Sequence, residues 1–237
     1  MSSVNQWVRI RAGFGGILRA AGRSSPMEAS DPHLGPVVTD CRSSWVRRAT
    51  FGATEVYVKT YDYPTYRDRV RGWLRTTWMA PSRAEREWDA LAWLREHGIP
   101  APEPLAAGEV RHLGVLRRAV LVTQAWPGEP LDRLLPTLSA PDREAVLDAV
   151  VRYVESLHRA GFRDRNLDLR NLLGRRDGTE AFEVVKIDSP RYRVVQRGSE
   201  CDRLAQRDWE RLSRSIDELA QRGGRSLAPD RERGSDL

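Results

Sequence analysis

Lysine is nearly missing from this chain. Of its 39 basic residues 37 are Arg, and the two exceptions are Lys59 and Lys186. A bias that places Arg almost everywhere makes the surviving Lys positions informative, because a compact ammonium and a planar guanidinium fork are not interchangeable at a tight phosphate site. Cysteine is scarce too. Cys41 and Cys201 are far apart and form no CxxC pair, which argues against a disulfide scaffold or a zinc site and fits a reducing cytoplasm. The four His give no metal-ligand set. No apolar run approaches the roughly 20 residues needed to span a bilayer. The segment from Met1 to Arg23 is broken by Arg9, Arg11 and Arg19, which does not suit a signal peptide. The Arg residues are dispersed and no aromatic-basic module is present, which argues against a nucleic-acid partner.

What is present suits a folded chain. With 237 residues, 40% of them hydrophobic and 30% charged, there is enough length for one domain or two small lobes. The formal charge of +6 favours anionic partners, and an Arg-rich composition explains it equally well.

Residues 1–35 are rich in Gly, Arg and Ser and poorly periodic, which predicts an extension that is partly disordered or forms a surface helix. Trp7, Ile10, Phe14, Ile17 and Leu18 form a loose stripe, either packed on the domain or touching a membrane surface. From Val37 the pattern turns to strands at Val37–Thr39, Trp45–Ala49 and Glu55–Lys59, with Gly52 marking a turn. Ser82-Arg83-Ala84-Glu85 fits a capping box. The helix it opens carries Trp88, Leu91 and Leu94 on one face and closes at Gly98 and Pro100. Ala119–Thr123 reads as a buried strand that runs into a break at Trp126-Pro127-Gly128. A second helix starts at Ser139 and Pro141, carries Leu147, Val150, Val151, Val154 and Leu157, and ends at Gly161. A strand at Phe182–Ile187 and a helix around Asp202–Leu219 follow. The expected class is α+β with two lobes: a β-rich N-lobe over 36–126, a reduced, mostly helical C-lobe over 127–221, and a disordered tail over 222–237.

Lys59 ends one strand, Asn171 ends the loop Asn166-Leu167-Asp168-Leu169-Arg170-Asn171, and Asp188 follows another strand. That is the chain order of the nucleotide- and metal-holding groups of protein-kinase-like phosphotransferases. Together with Val58-Lys59-Thr60-Tyr61, Arg86-Glu87-Trp88, Gly98-Ile99-Pro100-Ala101-Pro102, Leu157-His158-Arg159-Ala160-Gly161-Phe162 and Leu169-Arg170-Asn171-Leu172-Leu173, the chain resembles the bacterial lipopolysaccharide-core kinases from about Val37 to Leu219. Those enzymes phosphorylate Kdo or heptose sugars at the cytoplasmic face of the inner membrane.

The resemblance implies ATP and Mg²⁺ as cofactors and a sugar or glycolipid as acceptor. It implies that Lys59 holds the inner phosphates and pairs with Glu87, that Asn171 and Asp188 bind Mg²⁺, and that Thr123, Gln124 and Trp126 belong to a hinge against the adenine. It also implies a cytoplasmic protein in peripheral contact with the inner membrane. Each residue has a plainer alternative: a surface strand Lys, a solvated helix Glu, a loop Asn, a turn Asp before Pro190.

Two departures stand out. The segment Cys41-Arg42-Ser43-Ser44, where a phosphate loop belongs, has no Gly, so its backbone cannot approach phosphates as closely. Five residues before Asn171, where these kinases carry the catalytic Asp, stands Asn166, while Asp168 stands two residues later. An amide does not take up a proton at neutral pH. Either Asp168 has taken the base role, with Asn166 orienting the acceptor, or transfer proceeds without a dedicated base, or the chain is a catalytically impaired pseudokinase acting as a nucleotide-binding or scaffold module. A kinase of small molecules or proteins that shares only the fold is a third reading.

Overall fold

The computed structural model describes residues 4–31, 33–41, 44–63, 80–178, 181–196 and 198–226. Arg42 and Ser43, and the tail beyond Ser226, lie outside the described residues. The chain divides into two compact units, Met1–Pro127 with Lys186–Tyr192, and Gly128–Val185 with Arg193–Leu237.

The first unit is a six-stranded antiparallel sheet in the order β1-β5-β6-β4-β3-β2. Its strands are β1 (Val4–Ile10), β2 (Val37–Cys41), β3 (Ser44–Phe51), β4 (Thr54–Asp62), β5 (Pro104–His112) and β6 (Val115–Gln124). Gly52, at φ 60°, makes the turn between β3 and β4, a conformation that costs glycine nothing. Alternation along β4 sends Val56 and Val58 into the core and leaves Tyr57, Lys59 and Tyr61 for the other face. The core face is covered by helix α1 (Phe14–Ala20) and a 3-10 turn at Pro26–Ser30. Phe14 meets Phe51 edge to face at 6.1 Å. Helix α2 (Arg83–Glu96) packs against β4, β5 and β6.

The N-terminal segment departs from the sequence reading. Residues 4–10 form an edge strand paired with β5 from Val4↔His112 to Ile10↔Ala106. Gly13, at φ 87°, breaks the chain before α1. The stripe read as one helix is therefore a strand plus a helix. Phe14 and Leu18 are buried in the core, so they are not available to a membrane. Strand β5 is equally unannounced: Ala106, Ala107 and Gly108 lie at its centre, small residues with little strand propensity, and neighbouring strands on both sides define it.

In the second unit, β7 (Glu129–Pro130) leads into the short helix α3 (Leu131–Leu134), then α4 (Ala140–Arg159), β8 (Phe162–Asp164), β9 (Leu172–Arg176) and β10 (Phe182–Lys186). β11 (Tyr192–Val194) and the long helix α5 (Ser199–Ser226) close the order. Two small sheets form, β10-β9-β7 and β11-β8. Ser139 caps α4 by accepting the Asp142 amide. The buried stripe of α4 is Val146, Ala149, Val150, Tyr153, Val154 and Leu157, and Val151 turns outward. Gly161 is required where it stands. Its φ is 86°, and a Cβ there would come within 2.6 Å of the Val195 carbonyl oxygen.

A chain starting at Ala12 would lose β1 and the pairs Arg9–Asp89 and Arg11–Glu103. It would also leave the β5 edge unpaired. Thermal unfolding of that variant should shift down by about 5–10 °C, matching a loss of a few kcal/mol in a chain of this size. An unchanged Tm would show that β1 adds nothing to the sheet.

Candidate active site

Helix α2 begins at Ser82, whose hydroxyl accepts the Glu85 amide at 3.1 Å, the first half of the expected capping box. Its buried stripe is Ala84, Glu87, Ala90, Leu91 and Leu94. Trp88 stands beside that stripe, half-buried. Glu87 thus occupies a core position, which a carboxylate tolerates only with partners. The partners come from β4. Lys59 Nζ donates to Glu87 Oε2 at 2.9 Å and Oε1 at 3.2 Å. Tyr61 donates its hydroxyl to Oε2 at 2.7 Å. Lys59 Nζ also pairs with Asp188 Oδ1.

Burial alone disfavours the Lys59 ammonium, but the facing charges, Glu87 foremost, outweigh it and hold its pKa well above the usual lysine value. Burial raises the Glu87 carboxyl; Lys59 opposes this, Asp188 adds to it, and the net direction is up. Burial also pushes the Tyr61 phenol well up, so it stays a neutral donor. One ammonium faces two carboxylates, and the excess of negative charge suits a further cation.

Asp188 sits at φ 58°, a left-handed conformation that Asp tolerates better than most residues. The second Lys explains how it is held. Lys186 is fully buried, and its Nζ donates to the Ile187 carbonyl at 2.6 Å and the Asp188 carbonyl at 3.3 Å. Both lysines of the chain therefore converge on Asp188, one at its carboxylate and one at its backbone. The sequence offered no role for Lys186 or Tyr61; the clue for Lys186 was its rarity. Thr123 pairs in register with Tyr57 and so shares the Lys59 face of the sheet. The amides of Gln124 and Ala125 are taken by the Glu103 and Glu55 carbonyls at 2.8 and 2.9 Å. Trp126 follows, half-buried.

The loop with the exchanged residues belongs to the second unit, as does Asn171; Asp188 belongs to the first. Leu167, Leu169 and Leu172 are buried and anchor the loop. Buried Asp164 accepts the Asn166 amide on Oδ1 at 2.9 Å. Asp168 caps the 3-10 turn Leu169–Asn171 by accepting the Arg170 amide at 3.0 Å. The Arg170 guanidinium forks onto both oxygens, Nε to Oδ1 at 3.0 Å and Nη2 to Oδ2 at 2.8 Å. These bonds, the Arg170 side chain foremost, outweigh burial and lower the Asp168 carboxyl below its ordinary value. Asn171 donates Nδ2 to the Asn166 carbonyl at 3.0 Å, which leaves Oδ1, a hard oxygen donor, as the atom it offers onward.

Helix α5 braces this loop from behind at seven-residue intervals. The Cys201 carbonyl accepts Arg163 Nε at 3.1 Å. Asp208 Oδ2 accepts the Asp164 amide at 3.1 Å and lies 3.3 Å from His158 Nε2. Ser215 Oγ accepts the Leu169 amide at 3.2 Å. Sequence reasoning missed Asp208, although it shares a helical stripe with Cys201 and Leu212, as Glu87 does with its apolar neighbours.

Among the described residues no three His, Cys, Asp or Glu side chains gather as a metal cage. Mg²⁺ does not need one, since it keeps waters and takes one or two protein oxygens beside substrate phosphates. The carboxylate of Asp188 and the Oδ1 of Asn171 are donors of that kind.

Residues 41–228 match the family model described as the Lipopolysaccharide kinase (Kdo/WaaP) family. Among solved structures, WaaP in complex with acyl carrier protein aligns with a TM-score of 0.61 at 20% identity, covering 93% of this chain and 88% of that one. The bifunctional kinase-methyltransferase WbdD aligns at 0.49 and 17% identity, over 82% of this chain and 45% of that one. No curated protein sequence matches. At 20% identity the WaaP likeness speaks to the fold, and that fold is the α+β kinase-like one expected from the sequence.

Lys59→Met would leave Glu87 and Asp188 with no cation between them. The unfolding free energy at neutral pH should fall by about 3 kcal/mol, as for breaking a buried pair. A group whose folded pKa is raised contributes stability below its unfolded value and loses it as pH rises. Glu87 is already such a group, and losing the opposing Lys59 charge raises it further, so the deficit should shrink on going down to about pH 5. Urea denaturation at both pH values measures this, and a deficit independent of pH would sink the account.

Proposed function

This chain belongs to the Lipopolysaccharide kinase (Kdo/WaaP) family, and on that premise we propose that it transfers the γ-phosphoryl group of ATP to a sugar hydroxyl of the lipopolysaccharide core, on Kdo or heptose, or to a related glycolipid. The observation that carries the reading is the meeting of both lysines at Asp188, with Glu87 and Tyr61 fixing the Lys59 ammonium. Lys59 would hold the inner phosphates, steadied by Glu87. Thr123, Gln124 and Trp126 would border the adenine. Asp188 and Asn171 would hold Mg²⁺, which when bound neutralises phosphate charge. Asn166 would orient the acceptor hydroxyl. Phosphoryl transfer depends largely on such positioning and on charge stabilisation, so an amide at the usual base position does not abolish it by itself.

The acceptor is membrane-borne, so the reading places the protein in the cytoplasm, in peripheral contact with the inner face of the inner membrane. No helix among the described residues is long and apolar enough to cross a membrane. Mg²⁺-dependent ATP turnover with purified core oligosaccharide as acceptor is the direct test. Absence of transfer to every core oligosaccharide would remove the acceptor assignment.

A second reading has its own support. Asp168 is a cap held by Arg170, which makes it a reluctant base and favours an impaired kinase that binds nucleotide. Asp168→Asn keeps an acceptor for the cap and removes the charge. If Asp168 is the base, turnover should fall by about 10²- to 10⁴-fold, and Asn166→Asp should be tolerated or raise activity. A depressed pKa keeps the basic form present above it, so wild-type turnover on the base account should stay level from neutral pH down to about pH 5. Unchanged turnover in Asp168→Asn would leave Asp168 as a cap alone. A wild type that binds nucleotide but transfers nothing, and is not rescued by Asn166→Asp, would establish the second reading.

A further inference from the structure

We propose that the second unit carries an anion-binding subsite made by Arg165, Arg193, Arg203 and Arg207, and that it receives the acidic group, phosphate or carboxylate, of the sugar acceptor. The assignment of that group to the acceptor rests on the kinase reading above. These four arginines, with Glu200 and Leu204, line one cavity of about 200 Å³. Its formal charge is strongly positive, four guanidinium groups against one carboxylate. That carboxylate compensates poorly. Arg193 and Glu200 approach only to 3.7 Å, and both side chains are more than half exposed, so water screens the pair. Arg203 reaches the Ser199 carbonyl at 3.3 Å. Among the described residues no ion pair joins Arg165, Arg203 or Arg207 to a carboxylate.

In a chain whose bases are almost all Arg, the choice of Arg over Lys says little. The convergence does say something. Arg203 and Arg207 are one turn apart on α5, where like charges repel modestly, and Arg165 and Arg193 bring two more positive charges from other segments; all four are exposed, so water screens the repulsion as it screens the Arg193–Glu200 pair. An oxyanion in the cavity relieves it, and guanidinium forks match phosphate and carboxylate oxygens in pairs. The concavity favours a discrete group over the broad face of a membrane.

The position points to the acceptor. Arg165 directly precedes Asn166, one Cα step of about 3.8 Å along the chain. Asn166 is the residue assigned above to the acceptor hydroxyl, whereas the groups assigned to the nucleotide phosphates, Lys59 and Asp188, belong to the first unit. A sugar held by its hydroxyl at Asn166 would present a neighbouring acidic substituent to Arg165 and the cavity behind it.

The test uses the full chain and the variants R203A/R207A and R203K/R207K. Calorimetry with inorganic phosphate and with free Kdo reads the subsite without any need for turnover. Steady-state kinetics with phosphorylated core oligosaccharide, and with the same material after phosphatase treatment, reads its use. R203A/R207A should weaken phosphate or Kdo binding and raise the KM for the acidic acceptor by about tenfold, with kcat and nucleotide affinity changed less than about twofold. The Lys variant should recover part of the loss, and added salt should narrow the difference. A phosphatase-treated acceptor that loses the effect identifies phosphate as the recognised group; one that keeps it identifies the carboxylate.

Equal probe affinity and equal KM in wild type and R203A/R207A would overturn the proposal while leaving the kinase reading intact. So would an effect confined to binding of vesicles carrying anionic lipid, which would make this face a membrane contact. A wild type without turnover would count against the kinase reading alone, and the titrations would still decide whether the cavity binds anions.

Discussion

The first unit is organised around one ammonium. Lys59 lies between Glu87 and Asp188, and each neighbouring feature has a part in keeping it there. The β3–β4 turn at Gly52 sets a register that sends Val56 and Val58 into the core and Lys59 to the face that meets α2. The Ser82 cap fixes where α2 starts, and hence that its second turn puts Glu87 opposite β4. A buried carboxylate without a partner would cost several kcal/mol, so neither the helix nor the strand can shift by one residue without exposing that cost. The pair therefore acts as a register lock between sheet and helix as well as a candidate ligand for phosphate.

The second unit solves a different problem. A loop that holds functional side chains has no ladder of its own, and its amides need partners. Helix α5 supplies two of them, for Asp164 and Leu169, and holds the Arg163 side chain as well. Cys201, Asp208 and Ser215 recur every seven residues, so they stand on one face over four turns, and they meet Arg163, Asp164 and Leu169 in chain order. The loop is held along a rigid rod, and the amides of Asn166, Leu167, Leu169, Arg170 and Asn171 all have partners.

The legible parts of this chain were those with strong local chemistry. Ser82 and Ser139 were readable as caps because a hydroxyl before an apolar stripe has few other uses, and Lys59 stood out because Lys is so rare. Two strands were not readable. β1 keeps Val8 and Ile10 partly exposed, so its alternation is weak, and its apolar residues join those of α1 in a spacing that imitates one helix. β5 is built from Ala and Gly whose burial is imposed by neighbours. In the site, Glu87 was found through the chain order shared with the kinases this sequence resembles, yet it and Asp208 share a purely physical sign: a carboxylate on the apolar stripe of a helix. Arg170 was missed as the partner of Asp168 because a guanidinium two residues away folds back only when the intervening backbone turns.

The backbone at Asp188 limits how this chain can vary. Its left-handed conformation is open at low cost to Gly, Asn and Asp, and strained for nearly every other residue. The routes away from a carboxylate at this point that do not disturb the turn pinned by Lys186 are thus two, to an amide or to a bare hydrogen. Position 166 carries no such restriction, since its φ is not positive, and an amide already occupies it. Drift at the two positions is therefore unequal: the loop can sample many side chains, while the turn admits a short menu in which any silencing change keeps its shape and leaves a readable Asn or Gly behind.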